Sequence, residues 1–132
     1  MNPADMSACD LRRAYASGAL SPVEALEAVI ARAEALEPRL MALWAADFEG
    51  ARAVARESEA RWRKGAPLGP IDGVPLTIKE NIATRGVAMP LGTAASDLVP
   101  SAADAPPAAR SRESGAAIFA RTKSAPFISG IL

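Results

Sequence analysis

Two short apolar segments with a helix start between them constrain this chain more than any other feature. Val74-Pro75-Leu76-Thr77-Ile78 reads as a strand with Pro75 near its start, where a missing N–H is tolerated. Ala116-Ala117-Ile118-Phe119-Ala120 reads as a second, buried strand. Between them, Asp104-Ala105-Pro106-Pro107 can open a helix running through Arg112 and Ser114 to Gly115. Parallel strands cannot be joined by a tight turn, so strand, crossover helix and strand are the ingredients of a parallel unit. The expected class is therefore α/β.

Ahead of that unit, residues 1–65 read as mainly helical. Ser7-Ala8-Cys9-Asp10 starts a short helix with Leu11, Ala14 and Tyr15 on one face and Gly18 as its stop. Ser21-Pro22-Val23-Glu24 is a stronger start, because serine caps, proline suits the first helical position and the glutamate completes a capping box. Val23, Leu26, Ile30 and Ala33 follow at helical spacing, predicting a helix over 21–37 that Pro38 ends. Leu40-Met41-Ala42-Leu43-Trp44-Ala45 is an unbroken apolar run that fits a buried strand or an extension of the helix. From Asp47 to Lys64 the pattern is helical again, with Phe48, Ala51, Ala55 and Trp62 near one face and Gly65 at the end. Beyond residue 65 the chain turns rich in glycine, proline, serine and threonine, and 66–132 reads as strand, loop, helix and strand.

Composition removes several kinds of chemistry. Histidine is absent, which excludes Ser-His-Asp and Cys-His nucleophile systems and every imidazole metal site. Fifteen basic residues offset fifteen acidic ones, so there is no electrostatic footprint of a nucleic-acid binder. The one cysteine, Cys9, has no partner for an internal disulfide and reads as a small apolar filler on the first helix. No apolar run approaches the roughly 20 residues of a membrane helix, and the N-terminus lacks a leader pattern. A cytoplasmic protein without membrane or nucleic-acid partners, metal or cofactor is the expectation. Trp44 and Trp62 read as core or core-edge packing, and Met89 as loop packing.

The chemistry concentrates at Lys79, one of only three lysines among the fifteen basic residues. The Asp72-Gly73 turn feeds the first strand, which delivers Lys79 at its carboxyl end, where ligand sites form in open α/β sheets. Five mostly apolar residues precede it, so its stem is expected in low-dielectric surroundings that favour the neutral amine, the form that can act as a base. Glu80 and Asn81 would orient polar groups around it, and Ser96 is a weaker candidate for the same supporting role. Arg85 has no assignable role. By residue pattern alone the simpler account is a lysine snorkelling out at a strand end, since perturbed lysines are rare.

Gly73-Val74-Pro75-Leu76-Thr77-Ile78-Lys79-Glu80-Asn81 closely resembles the G-[IV]-P-x-x-[VI]-K-[DE]-N stretch of the amidase-signature family. Thr84-Arg85-Gly86 resembles the family's T-x-G, Gly92-Thr93-Ala94-Ala95-Ser96 its threonine- and serine-rich loop, and Asp104-Ala105-Pro106 its helix start. The helix through Arg110 and Arg112 to Ser114-Gly115-Ala116 resembles R-L-R-x-A-G-A, and Ala120-Arg121-Thr122-Lys123 stands where the family has G-K-T-N. The resemblance covers about residues 5–127, with its motifs in the family's order. It implies an amide hydrolase with a Ser–Ser–Lys triad and Lys79 as the base. It also implies N-terminal helices followed by the first strands of a mixed amidase-type sheet, within a single partial domain spanning 1–132.

The two serines of that triad lie downstream in the family, in a glycine- and serine-rich stretch without a counterpart in these 132 residues. Ser96, Ser101 and Ser124 do not match their motif positions, and Ser129-Gly130 lacks the glycine-rich surroundings. Lys123 stands for the usual asparagine and Ser124-Ala125-Pro126 departs from M-P-[ED]-F, although Phe127 fits. The expectation is a truncated sheet with unpaired edges, marginal stability and no amidase activity from the chain alone. A small-molecule amide would be the substrate of the complete enzyme, as an oligomer or with a complementing C-terminal half. A non-catalytic binding or scaffold remnant is the alternative. Met89-Pro90-Leu91-Gly92 looks more like a general bacterial-type amidase than part of a tRNA-dependent amidotransferase.

Overall fold

A computed structural model describes residues 1–124. Phe127 and Ser129-Gly130 lie outside the described residues. After a single 3-10 turn at Pro3–Asp5 come helix α1 (Ala8–Ser17), helix α2 (Pro22–Leu40), strand β1 (Leu43–Trp44) and helix α3 (Phe48–Arg63). Strand β2 (Pro75–Lys79), helix α4 (Pro106–Glu113) and strand β3 (Ala117–Thr122) complete the order. The sheet order is β1-β3-β2, with β1 antiparallel and β2 parallel to the central β3. The strand–helix–strand unit is therefore present, inside a mixed sheet.

The helix starts follow their side chains. Ser7 accepts from the Asp10 N–H, and at Ser21 both halves of the capping box form: Glu24 N–H to Ser21 Oγ at 3.1 Å and Ser21 N–H to Glu24 Oε2 at 2.8 Å. Each such cap contributes about 1 kcal/mol. Asp47 caps α3 by accepting from Gly50 N–H at 2.8 Å. Gly18 ends α1 at a φ of 73°, a left-handed conformation that costs glycine little.

Two expectations fail around residue 40. Pro38 does not end α2, which continues to Leu40. So near a helix end the missing N–H forfeits a single bond, and Met41 N–H still closes the last turn on Glu37 O at 2.8 Å. The Glu37 carboxylate then accepts from Ala42 and Leu43 N–H, holding the exit turn. Nor is 40–45 a buried strand. Leu40 and Met41 are 63% and 67% exposed, and pairing with β3 is limited to Leu43 and Trp44. The run is split across a helix end, a left-handed cap and a strand, so its side chains leave in different directions. Cys9 is also exposed rather than filling a gap.

Helices α2 and α3 cover the sheet through Leu26, Ile30, Ala51, Ala55, Ala117, Phe119 and Ala120. The small alanines let α3 lie close against β3, while Phe119 stacks near Phe48 at 6.4 Å between ring centroids. A second cluster joins Leu11, Tyr15, Ala25 and Val74, with Trp62 and Ile71 packed against it. Among the described residues no helix is long and apolar enough to cross a membrane.

Asp72, just before β2, is fully buried. Its carboxylate accepts two bonds from one guanidinium, Arg61 Nε at 2.9 Å and Nη2 at 2.8 Å, and a third from Leu68 N–H at 2.8 Å. Burial alone would raise the Asp72 pKa, but the Arg61 guanidinium and the Leu68 N–H outweigh it and hold the carboxyl below its ordinary range. The folded state thus gains stability from this group above the ordinary carboxylate range and loses it as pH falls through the depressed value. Asp72→Asn is expected to cost about 3 kcal/mol at pH 7, because a buried pair is broken. In thermal melts from about pH 7 to pH 2, the variant should show a shallower acid-side fall in Tm than the parent. Equal acid-side falls would mean that Asp72 carries no such linkage.

Candidate functional site

The carboxyl ends of β2 and β3 come together at Lys79 and Thr122, which stand opposite each other in the parallel ladder. Glu80 N–H donates to Thr122 O at 3.0 Å, so the pairing extends one residue past the strand. The Glu80 side chain turns inward. It is 3% exposed, and its Oε1 accepts from Ser124 N–H at 2.7 Å, tying the segment after β3 back onto the end of β2. A buried carboxylate needs such a donor, and a charged acceptor makes the bond a strong one.

Lys79 itself is exposed, as a lysine snorkelling out at a strand end would be, and the low-dielectric surroundings expected of a base are not found among the described residues. Along β2 the pattern alternates from buried Ile78 to exposed Lys79 to buried Glu80, as the pleat requires. Among the described residues the Lys79 ammonium has no salt-bridge partner within 4.0 Å. Asn81 is exposed too, inside the turn that Ile82 N–H closes by donating to Lys79 O at 3.0 Å.

Beside this end of the sheet lies an open cleft of ≈ 430 Å³, walled by Trp44, Pro90, Leu98, Glu80, Ser96 and Ser124 among others. Its wall is built by the loop between β2 and α4. Trp44 Nε1 donates to Ala88 O at 3.2 Å, and Ser96 Oγ donates to Pro90 O at 2.9 Å. Glu80 and Ser96 therefore share a cleft that Lys79 and Asn81 do not line. Trp44 is a cleft wall as much as a core edge. A larger groove of ≈ 650 Å³ runs among α1, α2 and α3, and none of the sequence-derived site residues borders it.

The loop is fastened by the acidic residue that opens the helix signal. Asp104 Oδ1 accepts from Arg85 N–H at 2.8 Å and Oδ2 pairs with Arg112 Nε at 3.1 Å, while Ala105 N–H donates to Ala83 O at 2.8 Å. Arg85 thus takes part through its backbone, with its side chain exposed.

Arg121 escaped the sequence reading as a functional position. It is 5% exposed on the central strand, and its Nε has no hydrogen-bond partner among the described residues. Burial, then the nearby Arg112 charge, push the guanidinium below its ordinary pKa, against the pull of Asp104 and Asp47. Arginine inside an otherwise apolar strand was the one available signal. Asp72 and Arg61 were also missed, since their partnership across the helix-to-strand loop has no local signature.

The arrangement offers an accessible amine at a strand end, a buried carboxylate fixing the chain beside it, and a largely apolar cleft that the carboxylate borders. Glu80→Ala should leave Ser124 N–H without its acceptor. Amide exchange at Ser124 is then expected to accelerate by about tenfold or more, the equivalent of a lost charge-assisted bond of about 1.5 kcal/mol or more. Unchanged exchange would show that Glu80 does not hold that segment.

Comparison with known proteins gives a consistent picture. The family model described as Amidase matches residues 24–131. The A subunit of glutamyl-tRNA(Gln) amidotransferase from Roseiflexus sp. is 34% identical over 121 residues, covering 92% of this chain and 25% of that protein. The protein of the same name from Chloroflexus aggregans is 42% identical over 80 residues, covering 61% of this chain and 16% of its own length. Among solved structures, the native peptide amidase from Stenotrophomonas maltophilia superposes with a TM-score of 0.80 at 30% identity, over 90% of this chain and 25% of that one. A crystal structure of an amidase gives a TM-score of 0.83 at 33% identity, over 95% of this chain and 28% of that one. The chain therefore spans between 16% and 28% of the length of these relatives.

Proposed function

The chain belongs to the amidase family, and from that premise we propose that it carries the lysine base of a Ser–Ser–Lys amide hydrolase. What supports this reading is family membership together with the match of Gly73–Asn81 to the family's lysine motif, with Lys79 at the carboxyl end of a parallel strand. In the proposed reaction a nucleophilic serine gives its proton through a bridging serine to the Lys79 amine as its oxygen attacks the amide carbonyl. Backbone N–H groups stabilise the oxyanion. Collapse breaks the carbon–nitrogen bond, the proton returns to the departing amine or ammonia, and water then releases the acid from the acyl-enzyme. Neither serine matches a position in these 132 residues, and the exposed Lys79 would need cover from sequence beyond them.

A second reading is favoured by the glutamyl-tRNA(Gln) amidotransferase relatives, at 34% to 42% identity. Under it the same lysine serves one component of a multi-subunit amidotransferase rather than a free-standing amidase. Release of free ammonia from simple amides would favour the amidase, and dependence on further subunits would favour the amidotransferase.

Short aliphatic and aromatic amides offered to the purified 132-residue chain should show no turnover. In an active full-length family enzyme whose N-terminal part is this chain, Lys79→Ala should lower kcat by about three powers of ten or more with little change in KM. Turnover by the chain alone that is lost in Lys79→Ala would place the nucleophile within it and overturn the division proposed here.

A further inference from the structure

We propose that the Arg61–Asp72 pair is a positioning device for Lys79, pinning the start of β2 so that the strand meets β3 in the register that presents the lysine. The inference rests on the reading of Lys79 as a base, and it assigns the role to residues remote from the cleft.

The ladder itself does little to hold that register. Strand β2 is five residues long, opens on a proline and carries an irregularity between Leu76 and Thr77. Before it Leu76 pairs with Ile118, and after it Thr77 pairs with Ala120, so β3 spends one more residue than β2. A short ladder interrupted in this way specifies its register weakly. Yet a slip of one residue would exchange buried Ile78 and exposed Lys79.

Asp72 supplies what the ladder lacks, because it touches the starts of both strands. The next residue, Gly73, donates its N–H to Gly115 O at 2.8 Å, and Ala117 N–H donates to Val74 O at 2.9 Å. Gly115 lies so close that a Cβ there would run into the Asp72 carboxylate, and a Cβ on Gly73 would run into Ser58 Oγ and Pro22. Both glycines have left-handed backbones, with φ of 82° and 77°. Trp62 Nε1 donates to Asp72 O at 3.0 Å, and Tyr15 OH donates to Gly73 O at 3.3 Å. Arg61 adds the forked pair from the same end of α3. A fork fixes direction as well as distance, so α3 sets the angle at which Asp72 hands the chain to β2. At the far end Glu80 repeats the device on Thr122 and Ser124.

Arg61→Lys tests this in two independent ways, because it keeps a cation but loses the fork. In the chain itself, amide exchange at Gly73, Ala117 and Glu80 should accelerate by about tenfold or more while the amides inside α1 and α2 keep their rates. Unchanged exchange, or equal acceleration throughout the helices, would overturn the inference, the second because it marks a general loss of stability. Asp72→Asn should reproduce the local pattern from the other side of the pair.

In an active full-length family enzyme whose N-terminal part is this chain, Arg61→Lys should lower kcat by about 10- to 100-fold with KM within about threefold, the cost of a misplaced catalytic group. In the Lys79→Ala background the same substitution should cost nothing further, since it acts through that side chain. Equal losses in both backgrounds, or no loss in either, would sink the positioning role. Should Lys79→Ala retain the parent kcat, the base assignment itself would fall, while the exchange rates would still judge the pin.

Discussion

The ion pair between Arg61 and Asp72 ties the helical half of this chain to the half that bears the motif. A carboxylate with no exposed surface cannot remain charged without donors, and here three N–H groups converge on it. The pair does not need to add net stability to matter. Either partner alone would leave a charge in the wrong place, so α3, the loop after it and the start of β2 are obliged to meet. The backbone around Asp72 is shaped to the same end, with glycines where any Cβ would collide.

Carboxylates recur as the fasteners of this structure. Glu37 holds the turn leaving α2, Asp104 holds the loop after β2, and Glu80 holds the segment after β3. Each accepts from backbone N–H groups that lie outside regular ladders and would otherwise lack a partner. The loops of a small sheet are thereby given defined shapes without much core of their own. The cleft beside Glu80 is one product of that arrangement. The same arrangement is found in the family, since two solved amidases superpose over 90% and 95% of this chain.

Much of this was legible. The capping box at Ser21, the cap at Ser7, the stop at Gly18 and the strand–helix–strand unit all formed where local rules place them. Local rules misjudged residues 38–45, because a proline near a helix end costs less than one in its middle and an apolar run carries no direction. At the candidate site, the motif marked the strand end that bears Lys79 and the buried Glu80. The residue pattern already allowed an exposed Lys79, but it did not reveal that Ser96 is committed to Pro90 or that Arg121 is buried. Those facts depend on what lies across the sheet from each residue, and spacing along one chain is silent about that.

By itself, the sequence determined the elements, their order and the family, because caps, periodicity and motifs act over a few neighbouring residues. The tertiary structure alone decided which charges are buried, which strand edges meet and which faces the motif residues take. Burial and register are set by contacts between segments far apart in the chain, as between Tyr15 and Gly73 or Glu80 and Ser124. Their free energy appears only once hydrophobic clusters have brought those segments together and removed the water between them.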